Sequence, residues 1–240
     1  EVDTVVEVPL TPEPEPVDRY GGWIDTIVFS REPNQDAAIA RLASGDIDAF
    51  AVDVAGEALV QAIDEAGNIQ TRTQYGLFDE IFFNGGACTD EAVLNPFTNT
   101  TIREAMTYAI DRDFVADELY AGLAIPKIVP HAEAGLDRGQ IAPEIRALET
   151  TYAYDLEKAR EIITPEMVAM GAELVDGKWT YEGEPINLIG LIRIEDTRLE
   201  IGNYFANQLE ELGFTVERVE RTSGELSTLW IQSNPAECLW

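Results

Sequence analysis

The stretch LNPFTNTTIREAMTYAIDRDFVADELYAGLAIP, residues 94–126, decides the fold. Its apolar residues recur at the spacing of one helix face: Ile102, Ala105, Met106, Ala109 and Ile110. Thr101 and Glu104 have the spacing of a capping box at the start of this helix. Asp111 favours a break and the N-cap of a second helix, which Gly122 can end. The stretch therefore predicts two successive helices.

Upstream of this stretch, the sequence predicts a linker followed by an α/β unit. Residues 1–19 alternate proline with acidic residues and lack a helical period, which indicates a disordered or extended linker. From residue 24, a β-rich run, a helix over 35–44 and a second β-rich run over 46–52 predict a strand–helix–strand unit with parallel strands. Residues 77–86 predict another buried strand, which ends in a glycine turn.

Downstream, the signals for helices and strands are stronger. Asp155 predicts the N-cap of a helix, and Asp176-Gly177 predicts a two-residue hairpin turn. The runs INLIGLI and FTVERVE are separated by a helical pattern that Thr197 and Glu200 would cap. These three segments predict a second strand–helix–strand unit.

Two separate strand–helix–strand units predict two lobes. We assign residues 1–19 to a disordered acidic linker, 20–95 to part of lobe I, 96–126 to a helical crossover and 127–240 to lobe II. A chain of 240 residues is long enough for two small domains or one large domain.

The net charge excludes several kinds of partner. The chain carries 45 acidic and 16 basic residues, which gives a formal net charge of −29. Nucleic acids and anionic membranes attract basic surfaces, so we expect neither as a partner. No apolar run approaches the roughly 20 residues of a membrane span. The preference for arginine over lysine is typical of a halophile or of a thermophile and does not choose between them.

Catalytic and metal-binding patterns are missing from the sequence. The single histidine, His131, lies beside a proline in a predicted loop, where a surface position is usual. No nucleophile-elbow, zinc-protease or phosphate-loop motif occurs. Cys88 and Cys238 lack metal spacing, and although a disulfide would suit an exported protein, the sequence favours two unpaired small apolar side chains. We therefore predict no catalytic residue, no cofactor and no metal site.

Three blocks of the sequence resemble the family 5 extracellular solute-binding proteins, the peptide- and nickel-binding receptors of ABC importers. The first block is GGWIDTIVFSREPNQDAAIARLASGDIDAFAV, which contains the turn Leu42–Asp48. The second is the opening stretch, in which PF, IR, A and YAIDR match the family's run. The third extends from YDLEKAREII to GFTVERVE. The middle block is the most specific of the three.

The resemblance implies an α/β fold of the two-lobed, type II periplasmic-binding-protein kind, with strand–helix–strand units in each lobe. In the family, the opening stretch crosses from the first lobe to the second as a structural pivot. We expect the fold to be incomplete here, because the family's long N-terminal portion and the segment that completes the second lobe are missing from these 240 residues.

The resemblance also implies a function, which is that of a non-catalytic, extracytoplasmic substrate-binding component of an ABC importer. Such a protein is expected to be a monomer that holds a peptide-like or other small solute between its lobes and delivers it to ABC permease subunits. A lipid anchor, as in a lipoprotein, would be its contact with the membrane. Two other functions stay open: a carboxylate-based hydrolase on the same fold, and a surface interaction protein.

Candidate ligand contacts lie at the ends of two predicted strands, because ligands of open α/β sheets bind outside the carboxyl ends of strands. Asn84 matches a family position that faces the cleft, with a turn residue as the alternative. Arg193 could pair with a ligand carboxylate and Glu195 with an amine, unless they neutralise each other. Free N–H groups at the start of the helix after residue 197 favour an anion. Three aromatic residues could form apolar walls or belong to the core: Tyr75, Phe78 and Trp179.

Overall fold

The structure, a computed structural model, describes residues 4–6, 24–52, 54, 56–72, 78–129 and 138–238. Its strands are β1 Thr4–Val6, β2 Ile27–Phe29, β3 Glu173–Val175, β4 Lys178–Tyr181, β5 Glu184–Pro185, β6 Asn187–Arg193 and β7 Thr215–Arg221. Its α-helices are α1 Gln35–Ser44, α2 Glu57–Ala66, α3 Thr100–Ala105, α4 Arg112–Phe114, α5 Arg138–Thr151, α6 Leu156–Ala169, α7 Arg198–Glu211 and α8 Ser223–Trp230. Shorter helical turns lie at Pro96–Thr98, Met106–Tyr108, Val115–Leu119 and Pro235–Glu237.

The second predicted strand–helix–strand unit is confirmed. β6 and β7 pair in parallel along their whole length, and α7 connects them across one face of this two-stranded sheet. A methyl group added at Gly202 of α7 would lie 2.7 Å from Cγ2 of Ile192, so glycine allows the helix to approach the strand closely here. The predicted capping box at Thr197 is wrong, because the Thr197 side chain makes no cap bond. Asp196 Oδ1 accepts from the Arg198 N–H instead, at 3.1 Å.

A hairpin packs against this unit. Asp176 and Gly177 have φ angles of 49° and 78°, as a two-residue turn with two left-handed positions requires, so the predicted hairpin is confirmed. Trp179 on β4 is 2% exposed, and its indole N–H donates to the Leu212 carbonyl at 3.0 Å. The indole therefore joins the hairpin to the end of α7.

The predicted apolar face of residues 94–126 lies in the main core. Four of its members are at most 2% exposed: Ile102, Ala105, Met106 and Ala109. α6 packs against α3 and contributes Ile163 and Met167 to the same core. The N-cap of α6 is Asp155, as predicted, with Oδ1 accepting from the Lys158 N–H at 2.9 Å.

The predicted cap of α3 is wrong. Asn99 is the N-cap, and its Oδ1 accepts from the N–H groups of Thr101 and Ile102 at 2.8 and 3.4 Å. Glu104 accepts a hydrogen bond from the Tyr152 hydroxyl instead. Because the helix begins at Thr100, Thr101 lies inside it, and Asn99 takes the N-cap position, where asparagine is among the preferred residues. The predicted N-cap at Asp111 is confirmed, because its carboxylate accepts from the Phe114 N–H at 3.0 Å.

The first predicted strand–helix–strand unit is only partly right. α1 forms as predicted and ends at Gly45, which adopts a left-handed conformation with φ of 80°. β2, however, pairs antiparallel with β1, and residues 46–52 form no strand. Of the residues predicted as a disordered or extended linker, the three of β1 are extended, and 1–3 and 7–19 lie outside the described residues, so the linker stays a prediction. A β-rich run becomes a strand only where a partner strand supplies its hydrogen bonds.

The predicted buried strand over 77–86 is also wrong, since the described residues 78–86 form no strand. Phe83 packs against Phe97 and Phe205, with ring centroids 4.7 and 6.0 Å apart. The Asn95 amide donates to the carbonyls of Asn84 and Gly86 at 2.8 Å each. A side chain therefore satisfies backbone groups that a neighbouring strand would otherwise have paired.

The two cysteines are paired. Cys88 and Cys238 form a disulfide between positions that lie 150 residues apart in the chain. The expectation of two unpaired apolar side chains is therefore wrong. The spacing of two distant cysteines contains no information about their contact, which the fold of residues 84–89 and 231–238 determines.

The proposed boundaries of the lobes at residues 20–95, 96–126 and 127–240 stay a prediction. Within the described ranges, no helix is both long and apolar enough to cross a membrane. The same ranges hold no group of three or more histidine, cysteine, aspartate or glutamate side chains arranged to bind a metal ion. His131 and Tyr75 lie outside the described residues.

Candidate ligand-binding site

The carboxyl ends of β6 and β7 meet the N-termini of α7 and α8 at one edge of the parallel sheet. Because ligands of such sheets bind outside the carboxyl ends of the strands, this edge is the candidate site. Charged and polar side chains converge on it from three separate parts of the chain. We call them the polar edge: Asp79, Tyr120, Arg193, Glu195, Asp196 and Arg198.

Arg193 ends β6 and is paired with two carboxylates. Its Nε lies 3.0 Å from Glu195 Oε2, and its Nη2 lies 3.3 Å from Asp196 Oδ2. The side chains of Arg193 and Glu195 are each 34% exposed, so solvent reaches both. The structure therefore brings together the two site residues that the sequence placed in this loop, and it shows them neutralising each other.

Arg198 begins α7 and connects the loop to a distant segment. It binds Asp196 in a bidentate manner, with distances of 2.8 Å from Nε to Oδ1 and 2.7 Å from Nη2 to Oδ2. Its Nη1 lies 3.3 Å from Asp79 Oδ1, and the Tyr120 hydroxyl donates to the other oxygen of Asp79. Partial burial and the bond to Asp79 raise the pKa of Tyr120, which keeps the phenol protonated.

The electrostatics of Asp196 follow from this pairing. Desolvation by itself would raise the pKa of the Asp196 carboxyl. The hydrogen bonds and charge of Arg198, together with the charge of Arg193, outweigh that effect and hold the pKa below its ordinary value. The hydrogen bond to Asp196 in turn raises the pKa of the Arg198 guanidinium. Both groups are therefore charged at neutral pH.

The helix N-termini at this edge are bonded to carboxylates of the chain itself. Glu195 Oε1 accepts from the Ser223 N–H at the start of α8 at 2.7 Å, and Asp196 bonds the first N–H of α7. The anion site expected at the start of α7 is thus already filled in part by an internal carboxylate. A ligand carboxylate would have to compete with Glu195 or Asp196 for the arginines. An amine or hydroxyl group could bind the remaining lone pairs of the same carboxylates.

An exposed aromatic pair joins the segment of Asp79 to the C-terminal end of α8. The rings of Phe82 and Trp230 stack with centroids 5.9 Å apart and an interplanar angle of 21°. They are 62% and 42% exposed, although large aromatic side chains are usually well buried. Phe82 follows Asp79 by three positions, and Trp230 ends the helix whose first N–H binds Glu195. The pair provides ring faces for an apolar group of a ligand.

The other described residues of the predicted site make contacts outside the polar edge. Asn84 is 5% exposed; its amide donates to the Pro235 carbonyl at 2.8 Å and its oxygen accepts from the Gly86 N–H at 2.9 Å. These bonds fit the alternative of a turn residue. Trp179 belongs to the core, and Phe78 is 45% exposed with Lys127 Nζ 4.5 Å from its ring centroid.

The sequence did not predict three members of the polar edge: Asp79, Tyr120 and Arg198. Arg198 had a usable signal, because the run RIEDTR sets two arginines around two carboxylates at a strand-to-helix turn. Asp79 and Tyr120 had none, since they reach Arg198 only through the fold. The same holds for the stacking of Phe82 on Trp230, which joins residues far apart in the chain.

Comparison with known proteins identifies the fold. The profile of the family described as Bacterial extracellular solute-binding proteins, family 5 Middle, matches residues 15–232. No curated protein sequence matches the chain closely enough to count as a relative.

Several solved structures are similar in fold. NikZ from Campylobacter jejuni, solved in complex with Ni(L-His), has a TM-score of 0.58 at 19% identity; the match covers 85% of this chain and 38% of that protein. The periplasmic oligopeptide-binding protein from Thermotoga maritima, solved with mannohexaose, has a TM-score of 0.57 at 17% identity, over 85% and 37%. The oligopeptide-binding protein AppA from Bacillus subtilis, solved with a nonapeptide, has a TM-score of 0.54 at 18% identity, over 84% and 37%. The chain therefore spans less than two fifths of these proteins and shares the α/β periplasmic-binding-protein fold over that part.

Proposed function

The chain belongs to the bacterial extracellular solute-binding proteins of family 5, and from that premise we propose that it binds a small, peptide-like solute for an ABC importer. The observation that carries the proposal is the polar edge, which lies at the carboxyl ends of the parallel strands in a fold of this family. The exposed pair of Phe82 and Trp230 supports it, since a binding site combines apolar walls with a few convergent polar groups.

The chemistry of the edge favours a solute that carries both charged and apolar groups. Arg193 is partly exposed and can exchange Glu195 for a ligand carboxylate, while the released Glu195 can accept a hydrogen bond from an amine. Phe82 and Trp230 offer ring faces to an apolar side chain. A short peptide with free termini has all three groups. Asn84, Phe78, Tyr75 and Trp179 are not part of the proposed contact set.

We propose that the protein acts without catalysis, outside the cytoplasm, and hands its solute to the permease subunits of the importer. Family 5 solute-binding proteins are periplasmic or extracellular. The Cys88–Cys238 disulfide supports that location, because disulfides persist in oxidising compartments. A monomeric state and attachment through a lipid anchor are part of the same proposal.

A thermal-shift screen with di- to hexapeptides tests the proposal. A ligand that binds only the folded state stabilises it by RT ln(1 + [L]/Kd), so a true solute raises the Tm progressively with concentration. Replacing Arg193 with alanine should weaken binding of a peptide with a free carboxylate by about 1–3 kcal/mol. The same substitution should have little effect on the amidated form of that peptide, because the amide lacks the charge that Arg193 would pair.

The matched control is Arg146→Ala, which removes another arginine in an exposed ion pair, with Glu149 at 2.7 Å. This variant should bind the peptide as the unaltered chain does. Absence of any peptide-dependent Tm shift would contradict the proposed solute class. Equal losses for the free and amidated peptides in Arg193→Ala would contradict the proposed role of Arg193 while leaving the solute class in place.

A further inference from the structure

A disulfide and three hydrogen bonds fasten the segment after α8, residues 231–238, to the turn that precedes α3, residues 84–89. The disulfide joins Cys88 to Cys238. Next to it, Thr89 donates twice to the Ala236 carbonyl, from its N–H at 2.8 Å and from its hydroxyl at 3.1 Å. Asn84 donates to the neighbouring Pro235 carbonyl at 2.8 Å. We call these six residues the clasp: Asn84, Cys88, Thr89, Pro235, Ala236 and Cys238.

The side of the clasp that belongs to the turn is rigidly held. Asn95 donates to the carbonyls of Asn84 and Gly86, and its own oxygen accepts from the Phe97 N–H at 3.0 Å. Phe97 is buried in the main core. The turn is therefore anchored to the core by side-chain bonds that do not involve the disulfide.

The other side of the clasp has few attachments of its own. Among residues 231–238 no side chain is fully buried, and Ile231 is 64% exposed. The turn Pro235–Glu237 spans three residues, and Cys238 has a left-handed backbone with φ of 50°, a conformation that is unfavourable for a non-glycine residue. Exposed backbone with little burial belongs to the least stable part of a fold. This segment therefore depends on the clasp for its position.

We propose that the clasp is redox-sensitive. Its disulfide holds residues 231–238 on the turn and so keeps Trp230 stacked on Phe82. When it is reduced, the three hydrogen bonds must hold the segment by themselves, and the segment detaches while the core stays folded. Both cysteines are only half-buried, so a reductant can reach them. The protein thereby acquires its complete aromatic surface only under oxidising conditions.

The chemistry is thiol–disulfide exchange. A thiolate of a dithiol reductant attacks one sulfur of the pair, the Cys88–Cys238 bond breaks, and a mixed disulfide forms on the attacked cysteine. The second thiolate of the reductant then releases that cysteine and closes the reductant into a cyclic disulfide. Two electrons pass to the protein sulfurs, which take up two protons and become thiols.

Amide hydrogen exchange with and without dithiothreitol tests the clasp. The Thr89 N–H reports on it directly, because its acceptor lies in the attached segment. On reduction this amide should exchange at least about tenfold faster. The Trp179 N–H, which donates to the Gly213 carbonyl at 2.8 Å in the core, should keep its rate. Equal acceleration of both amides, or no acceleration at Thr89, would overturn the proposal.

Two variants complete the experiment. The double variant Cys88→Ser/Cys238→Ser should show fast exchange at Thr89 that dithiothreitol does not change. Asn84→Ala keeps the disulfide but loses one bond of the clasp, so its disulfide should be reduced several-fold faster than in the unaltered chain. The matched control is Asn68→Ala, which removes another asparagine-to-carbonyl bond, to Ala43 at 2.9 Å, far from the clasp in sequence. If Asn84→Ala and Asn68→Ala are reduced at the same rate as the unaltered chain, Asn84 has no part in the clasp and the proposal fails in that respect.

Discussion

Residues 24–72 and residues 94–226 carry similar apolar patterns, but the second region buries far more of its apolar side chains. Among the described residues of the first region, Ala38 and Ile39 are the buried apolar side chains. The three residues of β2 are 51–66% exposed. In the second region one core is shared by β6, α3, α6 and α7, and its fully buried side chains include Phe214, Ile102 and Met167.

The difference teaches what an apolar pattern can and cannot specify. A period of 3.6 residues produced a helix in both regions, as α1 and α7 show. Burial required a partner surface of matching size. β6 has a seven-residue parallel partner and a helix across its face, whereas β2 has a three-residue antiparallel partner. The helix is a local property, and the core is a property of the assembled elements.

The largest expected effect separates the two regions by stability. Trp179→Ala should destabilise the protein by about 3–5 kcal/mol, because it empties a fully buried site and removes the bond to Leu212. Phe29→Ala on β2 should change stability by no more than about 0.5 kcal/mol, because that ring is 66% exposed. Urea unfolding followed by circular dichroism measures both. A cost at Phe29 that approaches the cost at Trp179 would show that β2 is as well packed as β4.

How much the sequence could predict follows the same division. The sequence could predict features whose signals each lie within a few residues. These are the hairpin at Asp176-Gly177, the N-caps at Asp111 and Asp155, and the unit of β6, α7 and β7. The strands expected over 46–52 and 77–86 failed because a strand depends on a partner that those runs lack among the described residues.

The candidate site shows the same limit. The pairing of Arg193 with Glu195 was weighed from the sequence, since two positions separate them. The contribution of Asp79 and Tyr120 was not, because both come from segments far away in the chain and meet Arg198 only in the folded protein. The disulfide between Cys88 and Cys238 belongs to the same class of contact.

A second prediction sharpens the comparison at the helix that packs most closely. Gly202→Ala should destabilise the protein by about 1–3 kcal/mol, because the new methyl group would lie 2.7 Å from Cγ2 and 3.0 Å from Cγ1 of Ile192. Ile192 is β-branched and 4% exposed, so it has little freedom to move. Gly224→Ala in α8 is the control; it meets no atom within 4 Å and should be neutral or stabilising by up to about 1 kcal/mol. Equal effects at the two glycines would show that α7 and β6 are less tightly packed than described.

A third prediction compares matched caps in the two regions. Asn34 caps α1 through the Ala37 N–H at 2.8 Å, and Asp155 caps α6 through the Lys158 N–H at 2.9 Å. Replacing either by alanine should cost about 1 kcal/mol of local stability. Only the loss at Asp155 should lower the stability of the main core, because α6 packs into it. The hydrogen-exchange rate of the Trp179 amide measures the stability of the main core. An equal acceleration of this exchange in both variants would mean that the two regions unfold together.

The smallest expected effect concerns the polar edge, where Arg198 of the second region pairs with Asp79, which lies between the two regions in the chain. Asp196→Asn keeps the shape of the side chain and an oxygen for the Arg198 N–H but removes the negative charge. The pKa of Asp196 is lowered in the folded protein, so its carboxylate contributes stability at neutral pH and loses that contribution as the pH falls below about 4. The variant should therefore be less stable than the unaltered chain by about 1 kcal/mol or less at pH 7, and this difference in stability should disappear at acidic pH.

The control is Glu32→Gln, which removes the 3.5 Å ion pair with Arg41 in the first region and should lower the stability by less at neutral pH. Urea midpoints of all three proteins between pH 3 and pH 7 measure the difference in stability, and a difference that widens toward acidic pH would show that Asp196 is not held in its charged form.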